Sequence, residues 1–146
     1  MQMRLFLGLI FAFAASAASA ADRDFYTKPS MADYPFSSAV VVGDTIYLSG
    51  EIGLTEDGKL AEGGVGPQTA QIFKNYEKTL AEVGSSLEDI VKCTVFLEDM
   101  AEYGDMNAAY AAALPDPKPA RSTFGVDGLA LGAALEIECL AIRKTE

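Results

Sequence analysis

Ile90-Val91-Lys92-Cys93-Thr94-Val95-Phe96-Leu97, running straight into Glu98-Asp99-Met100, is the stretch whose reading decides the fold. Val91, Cys93, Val95 and Leu97 alternate with Lys92, Thr94, Phe96 and Glu98, the period of two that sends successive side chains to opposite faces of a sheet. Phe96 makes the second face apolar in part, so cover is expected on both sides. Asp99 and Glu102 then stand three apart as a variant of the capping box, and an Ala-rich helix is expected over Met100 to Leu114. Pro115, Pro117 and Pro119 end it, because proline has no backbone donor to continue the ladder.

Outward from this strand-to-helix passage the pattern repeats. Upstream, Ile72, Phe73, Tyr76, Leu80 and Val83 fall at helical spacing, with Pro67 opening the helix and Gly84 closing it. Before that, Ser38 to Val42 and Thr45 to Ser49 flank Gly43-Asp44, a two-residue link suited to a tight hairpin, and Asp57-Gly58 gives a second turn. The residues up to Pro29 read as a polar lead-in. Downstream, strands are expected over Ser122 to Val126 and Ala134 to Ile142. The order is two or three strands, helix, strand, helix, two strands, which is an α+β domain with both helices on one face of its sheet. The other face then needs cover, and closed assembly of identical copies supplies it.

The N-terminus has the three-part layout of a secretory signal: Arg4, an apolar run from Leu5 to Phe13, and small residues ending in Ala18-Ser19-Ala20. The expected division is a signal peptide over 1–20, cleaved after Ala20 with Ala17 as the competing site, and a single domain over 21–146. A periplasmic or secreted protein follows, with no membrane contact in the mature form, since the apolar run is shorter than the roughly 18 residues a spanning helix needs. The 21 Asp and Glu outnumber 11 Lys and Arg for a formal charge of −10, which becomes −11 when Arg4 is removed. Lysines spread singly between acids cannot form the basic patch that a phosphate backbone demands, so no nucleic acid is expected as partner.

Cys93 and Cys139 share the parity of apolar neighbours in β-like runs, which places them inward on neighbouring strands. Two core thiols are favoured over a bridge, because free cysteine is among the most buried residue types. The chain has no histidine. Zinc sites and Ser-His-Asp or Cys-His catalysis in their usual forms therefore lack their ligand or base.

Two features can carry chemistry. In Lys118-Pro119-Ala120-Arg121-Ser122-Thr123, Pro119 stiffens the entry to a strand that begins with an arginine, whose planar fork can grip a carboxylate with two parallel hydrogen bonds. The competing reading is a surface arginine paired to one of the many acids, an interaction of small consequence. Glu136 and Glu138 alternate with Leu135, Ile137 and Cys139 on the last strand, so both carboxylates share one face. Such acids are usually solvated, but in a dry cleft a raised pKa suits one to hold or deprotonate water. Spacing alone does not choose between these alternatives.

The blocks Tyr47-Leu48-Ser49-Gly50-Glu51-Ile52, Val91-Lys92-Cys93-Thr94-Val95-Phe96-Leu97, Asn107-Ala108-Ala109-Tyr110 and Pro119-Ala120-Arg121-Ser122, ending in Glu136-Ile137-Glu138, resemble the Rid (YjgF-type) reactive-intermediate deaminase family in the family's order. The resemblance covers the chain from Pro35 onward. It implies a chorismate-mutase-like fold, a homotrimer, and active sites in the clefts between subunits. Arg121 then corresponds to the residue that binds the substrate carboxylate and Glu136 to the one associated with the attacking water. Gly50 matches a glycine whose backbone faces the ligand, Ser49 the serine before it, and Tyr103 an aromatic lining the pocket. Phe36 stands where many members have Tyr, and Thr123 where many have Cys; both are candidate substrate contacts that alter the usual site.

The implied reaction is hydrolysis of 2-imino acids or their enamine tautomers to 2-oxo acids and ammonia, with no metal or organic cofactor, because the iminium carbon is already electrophilic. Alternatives on the same fold are a non-catalytic binder of small carboxylates, a holdase, and a ribonuclease, the last disfavoured by the charge.

Overall fold

The computed structural model describes residues 22–144, so the leader expected over 1–20 lies outside the described residues. Six strands form one mixed sheet: β1 (Arg23–Tyr26), β2 (Ala39–Val42), β3 (Thr45–Ile52), β4 (Ile90–Leu97), β5 (Ala120–Gly125) and β6 (Leu135–Ile142). Their order across the sheet is β1-β2-β3-β6-β4-β5. Two α-helices, α1 (Val65–Glu82) and α2 (Tyr103–Ala113), complete the α+β architecture. Among the described residues only β4 and β5 pair in parallel, because α2 carries the chain back before β5 begins.

Local sequence explains most of these elements. Val42 pairs with Thr45 across Gly43-Asp44, and Gly43 takes the positive φ of 59° that the tight hairpin needs. Helix α1 starts at Val65, two residues earlier than expected. Pro67 falls inside its first turn, where a missing N–H breaks no helical bond. Ile72, Phe73, Tyr76 and Leu80 are its buried stripe. Before α2 the chain makes a 3-10 turn over Met100–Glu102, whose first backbone donors are met by Asp99, with Ala101 N–H donating to its carboxylate.

Three expectations need correction. The supposed lead-in contains β1, an edge strand so exposed that only Tyr26 packs on the core, and its polar sequence hid it. The parity of β4 slips at its start: a register shift between Ile90 and Lys92 buries Ile90 and leaves Val91 exposed. Cys93 and Cys139 are bridged rather than free. The antiparallel register of β4 and β6 sets them directly opposite each other, with Cα atoms 4.1 Å apart, a coincidence no single-strand pattern can disclose.

The two faces of the sheet differ. Val41, Ile46, Leu48, Val95, Leu97, Ile137 and Ala141 point inward and join the α1 stripe, Met106 and Tyr110 in one core. Among the described residues no helix covers the outer face. A single row crosses all six strands there, Phe25, Val40, Tyr47, Leu140, Lys92 and Ala120, and Phe25, Tyr47, Phe124 and Ile142 remain exposed.

Candidate active site

Arg121 stands at the edge of the sheet, opposite Cys93 in the parallel ladder, and its side chain lies on the helix-covered face. Residues Tyr103, Met106 and Tyr110, spaced along one side of α2, meet it there. The guanidinium carbon is 4.8 Å from the Tyr110 ring centre and 5.6 Å from that of Tyr103. Nη2 donates to Tyr103 Oη at 3.0 Å, and Nη1 lies 3.9 Å from Met106 Sδ. Among the described residues every ion pair uses a lysine, and Arg121 has no carboxylate partner. The competing picture of a surface arginine paired to an acid is thereby excluded within the described chain. Burial pushes the Tyr110 phenol up to about 12 despite the opposing pull of Arg121, so the ring beneath the cation stays neutral.

Glu136 occupies a different setting. Between Leu48 and Glu51 the β3 strand carries one residue more than its β6 partner, a bulge centred on Ser49-Gly50. The Glu136 carboxyl fills the space where a side chain on residue 50 would stand: a Cβ built there would lie 1.9 Å from Glu136 Oε1. Gly50 is thus required for close approach rather than for an unusual φ. Tyr76 reaches from α1 into the bulge, its hydroxyl within hydrogen-bond reach of the carbonyls of Ser49 and Ile137. Burial, and then the charges of Glu51, Glu136 and Glu138, hold this phenol well above its ordinary range, so it remains a donor. The Glu136 carboxyl is itself raised, by burial first and then by Glu138 and Glu51, which favours a group able to take up a proton.

The structure brings some of the expected residues together and separates others. Ser49 and Gly50 line an open groove of 620 Å³ on the outer face with Tyr47, Lys92, Thr94 and Glu138. Ser49 Oγ donates to the Ser37 carbonyl at 2.6 Å, tying the segment that bears Phe36 to the bulge. Phe36 is half exposed and packs against Tyr34, with ring centres 5.8 Å apart. Thr123 follows Arg121 on the same face of β5 and pairs with Val95. Its Oγ1 is buried without a hydrogen-bond partner among the described residues, as are Tyr110 Oη and Asn107 Oδ1.

Arg121 and Glu136, however, do not share a cleft within one chain. They are not on adjoining strands, because β4 lies between β5 and β6. Register also puts them on opposite faces: Arg121 is level with inward Cys93, whereas Glu136 is level with Phe96 on the outer side. Strand alternation had shown which residues share a face on each strand, but not how the strands are ordered.

Sequence reasoning missed the aromatic support of the cation by Tyr110 and the bulge support by Tyr76. Helical spacing marked Tyr76 as a core residue only, and Tyr110 stood out only as the end of a family block. It also missed Lys28, which pairs with Glu51 beside the bulge while Asn75 Nδ2 donates to the same carboxylate at 3.0 Å. These three residues border a second hollow of 660 Å³ between the N-terminal segment and α1, which contains neither Arg121 nor Glu136.

Comparison with known proteins agrees with this architecture. The family profile described as endoribonuclease L-PSP matches residues 27–143. The mitochondrial protein mmf1 of Schizosaccharomyces pombe is 44% identical over 111 residues, 74% of this chain and 68% of that protein. The chloroplastic reactive intermediate deaminase A of Arabidopsis thaliana is 41% identical, over 73% of this chain and 58% of its own length. The mouse 2-iminobutanoate/2-iminopropanoate deaminase is 38% identical, over 80% and 87% of the two chains. Among solved structures, RidA from an Antarctic Psychrobacter superposes with a TM-score of 0.73 at 33% identity, covering 86% of this chain and 98% of that one. The periplasmic or secreted location expected from the N-terminus is overturned by these relatives, since those named with an address are mitochondrial or chloroplastic. The mixed six-stranded sheet, the two helices and the match across nearly all the described residues lead to one assignment: the chain belongs to the endoribonuclease L-PSP family, that of the reactive intermediate deaminases.

Proposed function

We propose that this protein hydrolyses small 2-imino acids to 2-oxo acids and ammonia, at sites formed between copies of the chain in a homotrimer. The observation that carries the proposal is Arg121: a guanidinium held by two tyrosines, with no acid of the described chain to neutralise it. Such a cation is suited to a carboxylate brought in from outside. The mouse relative named as a 2-iminobutanoate/2-iminopropanoate deaminase supports the same substrate class, and the Arabidopsis relative named as a reactive intermediate deaminase supports the deaminase chemistry.

In the reaction, Arg121 binds the carboxylate and sets the C=N carbon before a water held by Glu136. Glu136 accepts a proton as the water oxygen bonds to the carbon of the protonated imine, giving a neutral carbinolamine. That proton then passes to nitrogen, and ammonia leaves as the C–N bond breaks, the C=O bond forms and the carbinolamine's hydroxyl proton goes back to the Glu136 carboxylate. Gly50 leaves room for the Glu136 carboxyl, and Ser49 ties down the neighbouring segment; Phe36 and Thr123 shape the substrate's surroundings. Because one chain sets Arg121 and Glu136 on opposite faces, the pair requires a second copy, and the exposed apolar residues of the outer face supply a surface for it.

The leader, taken with the relatives' addresses, is read as directing the protein to an organelle. The ribonuclease activity in the family's description is not extended to this chain, because a charge of −10 opposes a phosphate backbone. Activity is tested by adding the protein to an amino-acid oxidase reaction and following imine loss and ammonia release. Acceleration abolished by Arg121→Ala and by Glu136→Gln supports the proposal. Binding of 2-oxo acids without acceleration, lost only in Arg121→Ala, would instead identify a carboxylate-binding protein.

A further inference from the structure

Tyr103 meets Arg121 in a way that ring packing alone does not account for. Its oxygen accepts the Nη2 proton of Arg121 at 3.0 Å, at the first residue of α2, and the residue is 38% exposed. A phenol has one proton to donate as well as lone pairs to accept with. Oη has accepted from the cation, and among the described residues no acceptor takes its own proton. A ligand arriving at the guanidinium therefore meets two kinds of donor side by side. By contrast, Tyr110 lies with its ring under the cation and its hydroxyl buried, so it can support Arg121 but cannot reach an incoming group in the same way.

We propose that Tyr103 is a specificity-determining residue: its phenol fixes the rotation of the Arg121 fork and donates its proton to one oxygen of the ligand's carboxylate, whose other oxygen is held by Arg121. The idea rests on the proposed carboxylate site and deepens it. Two donors of different origin, held together by their own hydrogen bond, require an ionised carboxylate with both oxygens free. A primary amide of the same size presents only one good acceptor and an N–H₂ group that faces the donors, so it is rejected. The site thereby selects 2-imino and 2-oxo acids over their neutral amides, which share the reactive C=N or C=O group.

The test measures dissociation constants of 2-oxobutanoate and of its primary amide for wild type, Tyr103→Phe and Arg121→Ala, with steady-state turnover of 2-iminobutanoate alongside. Tyr103→Phe keeps the exposed ring, and a melting curve establishes that it remains folded. The expected result is about tenfold weaker binding of the acid, the scale of one hydrogen bond to a charged group, with KM raised in proportion and kcat within about twofold of wild type. Amide binding changes much less. Unaltered acid binding in Tyr103→Phe, or equal weakening of acid and amide, overturns the proposal and leaves Arg121 as sole anchor. Failure of wild type to bind the acid at all overturns the carboxylate site itself, and this inference with it.

Discussion

The two faces of the sheet are built from the same strands and finished to different degrees. On the inner face every strand from β2 to β6 meets a helix or the bridged cysteines, and its aliphatic residues are buried within one chain. On the outer face, Phe25, Tyr47, Phe124 and Ile142 stand exposed beside Glu136, Glu138 and Lys92. Among the described residues Arg121, at the inner edge, forms no ion pair with an acid, and Glu136, set against the β3 bulge on the outer face, forms none with a cation. Under the function proposed above, each face holds half of a site, and association of two copies is what would bring the halves together.

Variants can break each half separately. Arg121→Ala removes the one cation proposed to hold the substrate's carboxylate, and kcat/KM for imino acids should fall about a thousandfold, as when a partner of a desolvated ion pair is lost. The assay is oxidase-coupled turnover, and a loss below tenfold would show that the inner edge is not the binding half. The largest effect on stability belongs to the inner face. Cys93 and Cys139 close a loop with a sequence separation of 46, for which chain entropy predicts about 4 kcal/mol of stabilisation. Urea unfolding of the double Cys→Ser variant, against oxidised wild type, measures it.

On the outer face Gly50→Ala should act on chemistry more than on stability. Its new methyl group displaces the end of a flexible glutamate, not backbone. Moving that carboxyl by an ångström or so should lower kcat about a hundredfold while the melting temperature changes little. The smallest effect is one of pH. The Glu136 carboxyl is raised in the folded state, so it favours folding fully below the ordinary carboxylate range, and that contribution disappears as pH rises through its raised value. Glu136→Gln removes a partly buried charge. Relative to wild type it should gain stability as the pH goes from about 4 to about 7, while activity is lost. Urea midpoints at the two pH values check the sign.

Much of this contrast was legible in the chain. Alternation in Ile90 to Leu97 and in Leu135 to Ile142, the Gly43-Asp44 turn and the stripe from Ile72 to Leu80 each specify local structure through side chains a few residues apart. The family blocks drew attention to Arg121, Glu136 and Gly50. What stayed hidden depends on long-range register. The face of Arg121 relative to Glu136 follows from β6 pairing between β3 and β4, and the disulfide from Cys93 lying level with Cys139. Strand β1 was hidden for another reason, because an exposed edge strand need not carry an apolar pattern.

If Arg121 of one copy and Glu136 of another form a single working site, as proposed, two variants that are inactive alone should complement each other when mixed. Arg121→Ala and Glu136→Gln, dissociated together and reassembled in equal amounts, should regain about a quarter of the wild-type rate, since random pairing in a closed ring leaves that share of interfaces with both groups intact. Reassembled mixtures with wild-type size and no activity above either variant alone would contradict the claim.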